Sequence, residues 1–157
     1  MIRVQTDDFD LAAELERLTE GNFKIGGVAS FIGLVRDFHG DETIKALTLE
    51  HYAGMTERQL LEIESQALKR WPLAASLIIH RYGRLKPGDR IVFVATASAH
   101  RDAAFESCRF LVDWLKTMAP FWKAAETSKG HHWVEAVERD VKAADAWRQA
   151  PSTQMPE

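Results

Sequence analysis

Two apolar runs separated by a turn decide the fold: Ala75-Ser76-Leu77-Ile78-Ile79-His80 and Ile91-Val92-Phe93-Val94-Ala95-Thr96-Ala97. Each run has the length and the aliphatic and aromatic content of a buried strand. The stretch Leu85-Lys86-Pro87-Gly88-Asp89 lies between them, and its Pro-Gly pair favours a turn. The sequence therefore predicts an antiparallel hairpin over Ser76–Ala97.

Helical patterns flank this hairpin on both sides. Met55–Trp71 has an apolar stripe at helical spacing, with Thr56 as its expected cap and Pro72 as its stop. Arg101–Thr117 predicts a long helix that ends before Pro120. A shorter helix is expected near the N-terminus, with Asp7 as its cap.

The remaining segments complete an α+β pattern. Ile25–Val35 and Ile44–Tyr52 are predicted to pair as a hairpin through the turn signal Phe38-His39-Gly40-Asp41. Beyond the long helix we expect an irregular, extended segment, with a strand at Trp133–Val137 and a short helix near Val141–Trp147. The expected fold is a mainly antiparallel sheet of hairpins covered by helices, with an additional C-terminal extended segment. We expect one domain over residues 1–150 and a flexible tail over 151–157.

Composition excludes several classes of protein. A chain of 157 residues, 46% hydrophobic and 27% charged, fits one ordinary globular domain. The net charge of −3 gives no general attraction to nucleic acid or anionic membranes, so an anion site must be a local basic cluster. The start of the chain does not resemble a signal peptide, and no apolar run is long enough to span a bilayer. The single Cys108 excludes an internal disulfide and a multi-cysteine metal site, and it suits a reducing cytoplasm.

The first candidate site is Ser98-Ala99-His100-Arg101, between a predicted strand and the long helix. Free backbone N–H groups and the helix dipole favour an anion at such a position. Arg101 adds a planar fork of donors, and His100 adds another donor. The alternative is a solvated surface pair without a role, and the spacing does not decide between the two interpretations.

The second candidate is the pair Lys116 and Lys123, on either side of Thr117–Trp122. Lys116 closes the long helix, where a cation is favourable. Lys123 follows two aromatic residues, and a lysine beside aromatic surface and another cation can acquire a lowered pKa and transfer protons. From spacing alone, core aromatic residues with lysines that extend to solvent explain this segment better.

The third candidate is Arg36, where a predicted strand gives way to a turn. A salt bridge with Asp37 or Asp41 is the simpler explanation for it.

A series of longer motifs then carries a family resemblance. These motifs are Phe31–Arg36, Leu47–Glu57, Arg70–Leu73, Ile79–Gly83, Gly88–Asp89, Ser98–Arg101 and Leu115–Lys123. In this order, from about Phe31 to Trp147, they resemble the large, catalytic subunits of molybdopterin synthases (the MoaE family). The resemblance implies an α/β hammerhead-like fold.

The resemblance also implies a reaction and partners. The family transfers sulfur from a thiocarboxylate on the C-terminal Gly-Gly of a small, ubiquitin-like (MoaD-like) subunit. The acceptor is cyclic pyranopterin monophosphate (precursor Z), which becomes the dithiolene of molybdopterin in molybdenum cofactor biosynthesis. The implied assembly is a heterotetramer with a homodimer of large subunits at its centre. The implied setting is cytoplasmic, and the sulfur transfer uses neither a cofactor nor a metal.

Carried over by motif, Lys116 and Lys123 are expected to be catalytic. The expected substrate-binding residues are Leu34, Val35, Arg36, His100, Arg101, Lys116, Lys123, Ala124 and Ala125. Four positions depart from the family pattern: Ala53 replaces a proline, Met118 and Ala124 replace basic residues, and Val137 replaces an arginine.

Two other functions remain as alternatives. One is a non-catalytic, dimeric α+β module that binds a phosphorylated metabolite or a peptide tail. The other is a lyase that forms a Schiff base through one lysine.

Overall fold

The computed structural model describes residues 1–118, 121–134 and 138–149. The predicted tail at 151–157 and the departure at Val137 lie outside these ranges. The elements, in chain order, are β1 (Ile2–Gln5), α1 (Leu11–Thr19), β2 (Gly27–Leu34), β3 (Phe38–His39), β4 (Glu42–His51), α2 (Met55–Arg70), β5 (Leu73–Arg81), β6 (Gly83–Leu85), β7 (Arg90–Ser98), α3 (Arg101–Thr117), β8 (Phe121–Thr127), β9 (Gly130–Trp133) and α4 (Glu138–Gln149).

The first sheet has the order β1-β5-β7-β2 and is antiparallel except for the parallel pair β1–β5. The predicted hairpin is confirmed, with Ile78 of β5 opposite Val94 of β7. These two side chains belong to the core cluster with residues of α2 and α3, whereas Leu77 and Phe93 belong to the cluster with α1. The central parts of β5 and β7 are apolar on both sides because helices cover both faces of the sheet.

The second sheet has the order β3-β4-β8-β9, and β6 also pairs with β4. It has its own core, made of Val35, Ile44, Leu47, Leu49, Leu85 and Ala125. The chain passes from the first sheet to the second directly after β5. Gly83 opens β6 with a φ of +91°, a backbone conformation that glycine adopts at little cost. The mainly antiparallel α+β fold is therefore confirmed, as two sheets rather than one.

The predicted hairpin of Ile25–Val35 with Ile44–Tyr52 is wrong. β2 pairs with β7 in the first sheet, whereas β4 pairs with β3, β6 and β8 in the second. The expected turn does form, but it joins β4 to the two-residue strand β3. The reason is Val35, which follows β2, is only 4% exposed and packs in the second core, so that the chain leaves the first sheet there.

The segment expected to be irregular also contains a strand. Phe121–Thr127 forms β8, which pairs along its length with β4. The inward face of β8 is hard to recognise in the sequence, because Lys123, Ala125 and Thr127 occupy positions where large aliphatic residues would be expected. The strand β9 covers Gly130–Trp133 and so overlaps the predicted strand Trp133–Val137 at its first residue. Residues 135–137 of that prediction lie outside the described ranges. The final helix is confirmed and is longer than expected.

Two predicted helix caps are also corrected. The carboxylate of Asp10, not Asp7, accepts the N–H groups of Ala12 and Ala13 at 2.9 and 3.1 Å. Thr56 is buried inside α2, and the cap position is Gly54. The backbone N–H of Gly54 donates to Glu57 at 2.6 Å.

Buried hydrogen bonds fix α3 against the first sheet. The hydroxyl of Thr96 donates to the carbonyl of Ala104 at 2.7 Å, and that of Ser98 donates to the carbonyl of Pro72 at 2.8 Å. The amide of Gly26 donates to the carbonyl of Ser98 at 3.0 Å. The turn that starts α3 is thus held from two sides. Among the described helices, none is long and apolar enough to cross a membrane.

The close approach at Gly26 generates a prediction about stability. A Cβ at this position would lie 2.2 Å from the carbonyl oxygen of Ala99, whereas a Cβ at Gly27 would meet only Arg101 Cα, at 3.8 Å. Gly26→Ala should lower the free energy of unfolding by roughly 1–3 kcal/mol, because backbone must move to relieve the overlap. Gly27→Ala is the matched control and should remain near wild-type stability in urea unfolding. Equal midpoints for the two variants would contradict this account.

Candidate active site

The two candidate lysines lie on neighbouring elements. Lys116 is in the last turn of α3, which ends at Thr117, and Lys123 is the third residue of β8. Ala119 and Pro120, between these elements, lie outside the described residues. The change from helix to strand within a few residues lets both lysines face one cavity.

This cavity, called the lysine cavity below, has a volume of about 250 Å³. It lies where the end of α3 meets the second sheet. Its lining includes Leu34, Val35, Arg36, Lys116, Phe121 and Lys123. The structure thus brings together the predicted lysine pair and the predicted Leu34–Arg36 segment, although these are some eighty residues apart in the chain.

Four of the nine predicted binding residues do not line this cavity, and two of these, Ala124 and Ala125, belong to β8. Successive strand residues point to opposite faces, so Phe121, Lys123 and Ala125 share one face of β8 and Ala124 faces the other way. Ala125 is 2% exposed and packs in the core of the second sheet, beneath the cavity. A role in binding for either alanine would have to come from its backbone.

His100 and Arg101 lie at the opposite end of α3. His100 is the cap residue of the helix, and both side chains are exposed. Arg101 is 3.6 Å from Asp102, a pair that is largely in solvent. At 1.5 Å per helical residue, Arg101 is about 22 Å from Lys116 along the axis. Within one chain, the two predicted sites are therefore separate.

The groups around Lys123 shift the pKa of its amine in opposite directions. Burial lowers the pKa of its amine, and the positive charge of Lys116 lowers it further. Asp140, on the first turn of α4, acts in the opposite direction and also lines the cavity. Among the ion pairs between described residues, none involves Lys116, Lys123 or Arg36. These cations are consequently free to meet an anion from outside.

Phe121, which lies on the same face of β8 as Lys123, stacks on the buried His80. The ring of Phe121 lies parallel to that of His80, with 3.6 Å between centroids. Burial lowers the pKa of His80 to about 3, and the charge of Lys123 contributes in the same direction. Its Nδ1 lies 2.9 Å from the carbonyl oxygen of Arg81, which can only accept, so Nδ1 carries the proton. His80 is therefore a neutral part of the wall at physiological pH.

Asp140 and the Phe38–His39 strand also line the cavity, and the sequence did not single them out as binding residues. The Phe38–Asp41 segment was visible only as a turn. Asp140 gave no local signal beyond an acidic residue early in a short helix, which is a common stabilising feature.

The fold and site define an α+β protein with a cationic cavity suited to anionic ligands. Comparisons with known proteins identify its family. A family model described as "MoaE protein" matches residues 4–118, which include Lys116 but end before Lys123. A relative from Mesorhizobium japonicum, named molybdopterin synthase catalytic subunit, is 49% identical over 149 residues. That alignment covers 94% of this chain and 92% of the relative.

Solved structures give the same result. A molybdopterin biosynthesis MoaE protein from Burkholderia ambifaria has a TM-score of 0.81 and 49% identity, with 96% of this chain and 99% of that chain covered. A Helicobacter pylori structure, described as a complex of subunits 1 and 2 of molybdopterin-converting factor, shares the fold at 19% identity and a TM-score of 0.69. It covers 88% of this chain and 91% of that chain. The chain belongs to the MoaE family, in which the curated relatives are molybdopterin synthase catalytic subunits.

The buried His80 predicts how stability depends on pH. Its pKa is about 3 in the folded protein and about 6.5 when exposed, so the unfolded chain binds an extra proton between these values. The contribution of neutral His80 to the free energy of unfolding is complete above pH 6.5. As the pH falls below this value, that free energy decreases by at most about 1.4 kcal/mol per pH unit. His80→Asn should therefore lose less unfolding free energy between pH 6.5 and 4.5 than the wild type. Urea unfolding at several pH values measures this.

The exposed His131 provides the matched control. His131→Asn should keep the wild-type dependence on pH. If His80→Asn has the same slope as His131→Asn, then His80 is not the group responsible.

Proposed function

We propose that this chain is the catalytic subunit of a molybdopterin synthase. It transfers sulfur from the thiocarboxylated C-terminal Gly-Gly of a small ubiquitin-like subunit to precursor Z and so forms the dithiolene of molybdopterin. The observation that carries this proposal is the convergence of Lys116, Lys123 and Arg36 on one cavity, in a chain whose relatives have this activity in their name. The cytoplasm is the setting that the free, buried Cys108 suits, because a reducing compartment keeps thiols unpaired.

The charge of the cavity suits both reactants. The thiocarboxylate and the substrate phosphate are anions, and the lining contains three basic side chains without an ion pair among the described residues. A partly buried cationic site strengthens attraction to an anion, because less water screens the charges. The overall charge of −3 means that this attraction is local to the cavity.

The environments of the two lysines support different roles. Lys123 is partly buried and has a lowered pKa, which suits a group that gives and takes a proton during loss of the leaving group. Lys116 is exposed at the rim and suits electrostatic capture of the thiocarboxylate and stabilisation of charge on its carbonyl. We assign proton transfer to Lys123 and electrostatic stabilisation to Lys116.

In a dimer, a second copy of the chain would place its His100 and Arg101 next to the lysine cavity of the first copy. β2 is an edge strand in which Val28, Phe31 and Ile32 are more than a third exposed. Its first residue, Gly27, pairs with Ser98 beside His100, whereas its last, Leu34, lines the cavity. The eight residues span about 23 Å, close to the distance between the two sites along α3.

An antiparallel, two-fold arrangement of β2 strands would therefore bring His100 and Arg101 of each copy to the cavity of the other. This supports a homodimer at the centre of the assembly, with a small subunit at each end. The substrate phosphate would then lie between the His100–Arg101 pair of one copy and the lysines of its partner.

The main alternative is a binding module that holds a phosphorylated metabolite or a peptide tail without converting it. The same cations would serve it, but the lowered pKa of Lys123 would have no purpose. Binding of precursor Z without conversion in the presence of the loaded small subunit would favour the module. A Schiff-base lyase would instead form a borohydride-trapped adduct without any partner protein.

Substitution of each lysine tests the proposal directly. Lys116→Ala and Lys123→Ala should each reduce turnover by roughly 10²- to 10⁴-fold and keep the fold, because each removes a group that acts on the transition state. The assay combines precursor Z with thiocarboxylated small subunit and measures molybdopterin through its fluorescent oxidised derivative. Near-wild-type rates in both variants would exclude the lysines from the mechanism.

Arginine variants separate the two assigned roles. Arginine keeps the charge but does not deprotonate in proteins. Lys116→Arg should therefore retain much more activity than Lys123→Arg. The reverse order would exchange the roles of the two lysines.

A mixed dimer tests the second-copy arrangement. Arg101→Ala and Lys123→Ala dimers should each be nearly inactive, but a mixed dimer has one cavity with both changes and one with neither. Random exchange of subunits should thus restore about a quarter of wild-type activity. A mixture of Lys116→Ala and Lys123→Ala is the control and should restore none, because each mixed cavity keeps one change. No restoration in the first mixture would contradict the arrangement.

A further inference from the structure

Asp140 is an unexpected residue in a cavity for anions. It lies on the first turn of α4, is half-buried and lines the lysine cavity. Its carboxylate would repel the thiocarboxylate and the phosphate that the proposed function requires. Among the ion pairs between described residues, none involves Asp140, so it is not committed to a structural salt bridge there.

The position of Asp140 relative to the lysines is set by the packing of α4. The indole N–H of Trp147 donates to Asp113 at 2.8 Å, and Arg70 donates to the carbonyl of Trp147 at 2.9 Å. The Trp147 ring packs edge-on against Trp71 and Phe110, with centroids 5.7 and 5.6 Å apart. Asp113 is on α3, one turn before Lys116, so the helix that carries one lysine also holds the helix that carries Asp140.

The surroundings of Lys123 are otherwise cationic or neutral. Lys116 from α3, Arg36 from the segment after β2 and His39 from β3 line the same cavity, and the neutral His80 lies behind it. Among the lining residues that the structure describes, Asp140 is the one carboxylate. It alone among the charges acting on Lys123 favours the protonated amine, against burial and Lys116.

We propose that Asp140 is a positioning residue for Lys123, acting as the resident counter-ion of the lysine cavity until an anionic substrate replaces it. This inference rests on the proposed sulfur-transfer function and names a further residue for it. Before substrate binds, the carboxylate offsets the mutual repulsion of Lys116, Lys123 and Arg36. Once the thiocarboxylate or phosphate arrives, the substrate supplies the negative charge.

Removal of the carboxylate should have two effects of opposite sign. In Asp140→Asn, Lys123 loses its proton at a lower pH, so the cavity loses a cation earlier as the pH rises. Below that pH, the same variant should bind anions more tightly, because the repulsion from Asp140 is gone. A residue that only stabilised the helix would produce neither effect.

Direct titration of Lys123 tests this assignment without any substrate. Acetylation of Lys123 by limiting acetic anhydride, followed by mass spectrometry across a range of pH, reports the fraction of neutral amine in the intact protein. Asp140→Asn should shift the midpoint of Lys123 to a lower pH, because the carboxylate that favours the protonated amine is gone. Asp140→Glu should restore most of the shift, since it keeps the charge.

Glu138→Gln is the matched control. Glu138 is another acid in the first turn of α4, but it is exposed, pairs with Lys142 at 2.7 Å and does not line the cavity. It has the same relation to the helix dipole and should leave Lys123 unchanged. Equal titration of Lys123 in Asp140→Asn and Glu138→Gln would overturn the assignment.

Kinetics then separate this inference from the proposed function. The KM of Asp140→Asn for precursor Z should lie below the wild-type value at the acidic end of the pH range and above it at the alkaline end. A KM profile parallel to that of the wild type would overturn the role in substrate exchange. If the wild type itself makes no molybdopterin, the proposed function fails, while the shift in Lys123 titration still decides whether Asp140 is its counter-ion.

Discussion

The antiparallel pairing of β5 with β7 is the interaction on which the rest of the structure depends. Its residues alternate between two cores, so one hairpin supports α1 on one face and α2 with α3 on the other. β7 also ends at Ser98, which sets the start of α3, and β5 leads directly into β6 of the second sheet. The position of Lys116 therefore follows from this pairing through the length of α3.

The parts of the fold that could be predicted are those where local pattern and burial agree. The β5–β7 hairpin and the helices α2 and α3 have apolar periodicity that their tertiary environment reinforces. The sequence predicts β2 and β4 as strands but pairs them with each other, because adjacency in the chain favours a hairpin. The burial of Val35 in the second core sends the chain to another sheet, and a long-range contact of this kind leaves no local trace.

The same distinction applies to the site. Lys116, Lys123 and Arg36 were identified through motifs, and their convergence on one cavity became visible only with the fold. Phe121–Thr127 did not look like a strand, because the inward positions are occupied by Lys123 and small residues rather than by large aliphatic ones. Lys123, which the proposed reaction needs in the cavity, therefore makes β8 harder to recognise as a strand from the sequence. His100 and Arg101 have the features of an anion-binding helix start, yet within one chain they lie about 22 Å from Lys116 along α3.

The lysine cavity lies at the seam between two cores, and this location explains how it tolerates its charge. A buried, partly desolvated ammonium group beside another cation is unfavourable, and the lowered pKa of Lys123 is one sign of that cost. The first core packs α3, which carries Lys116, and the second core packs β8, which carries Lys123. The helix α4 docks on α3 and carries Asp140 to the same cavity. Each element that carries a charge is thus held by packing that does not include the other charges. In the proposed exchange, a negative charge within the cavity offsets the repulsion, first from Asp140 and then from the substrate.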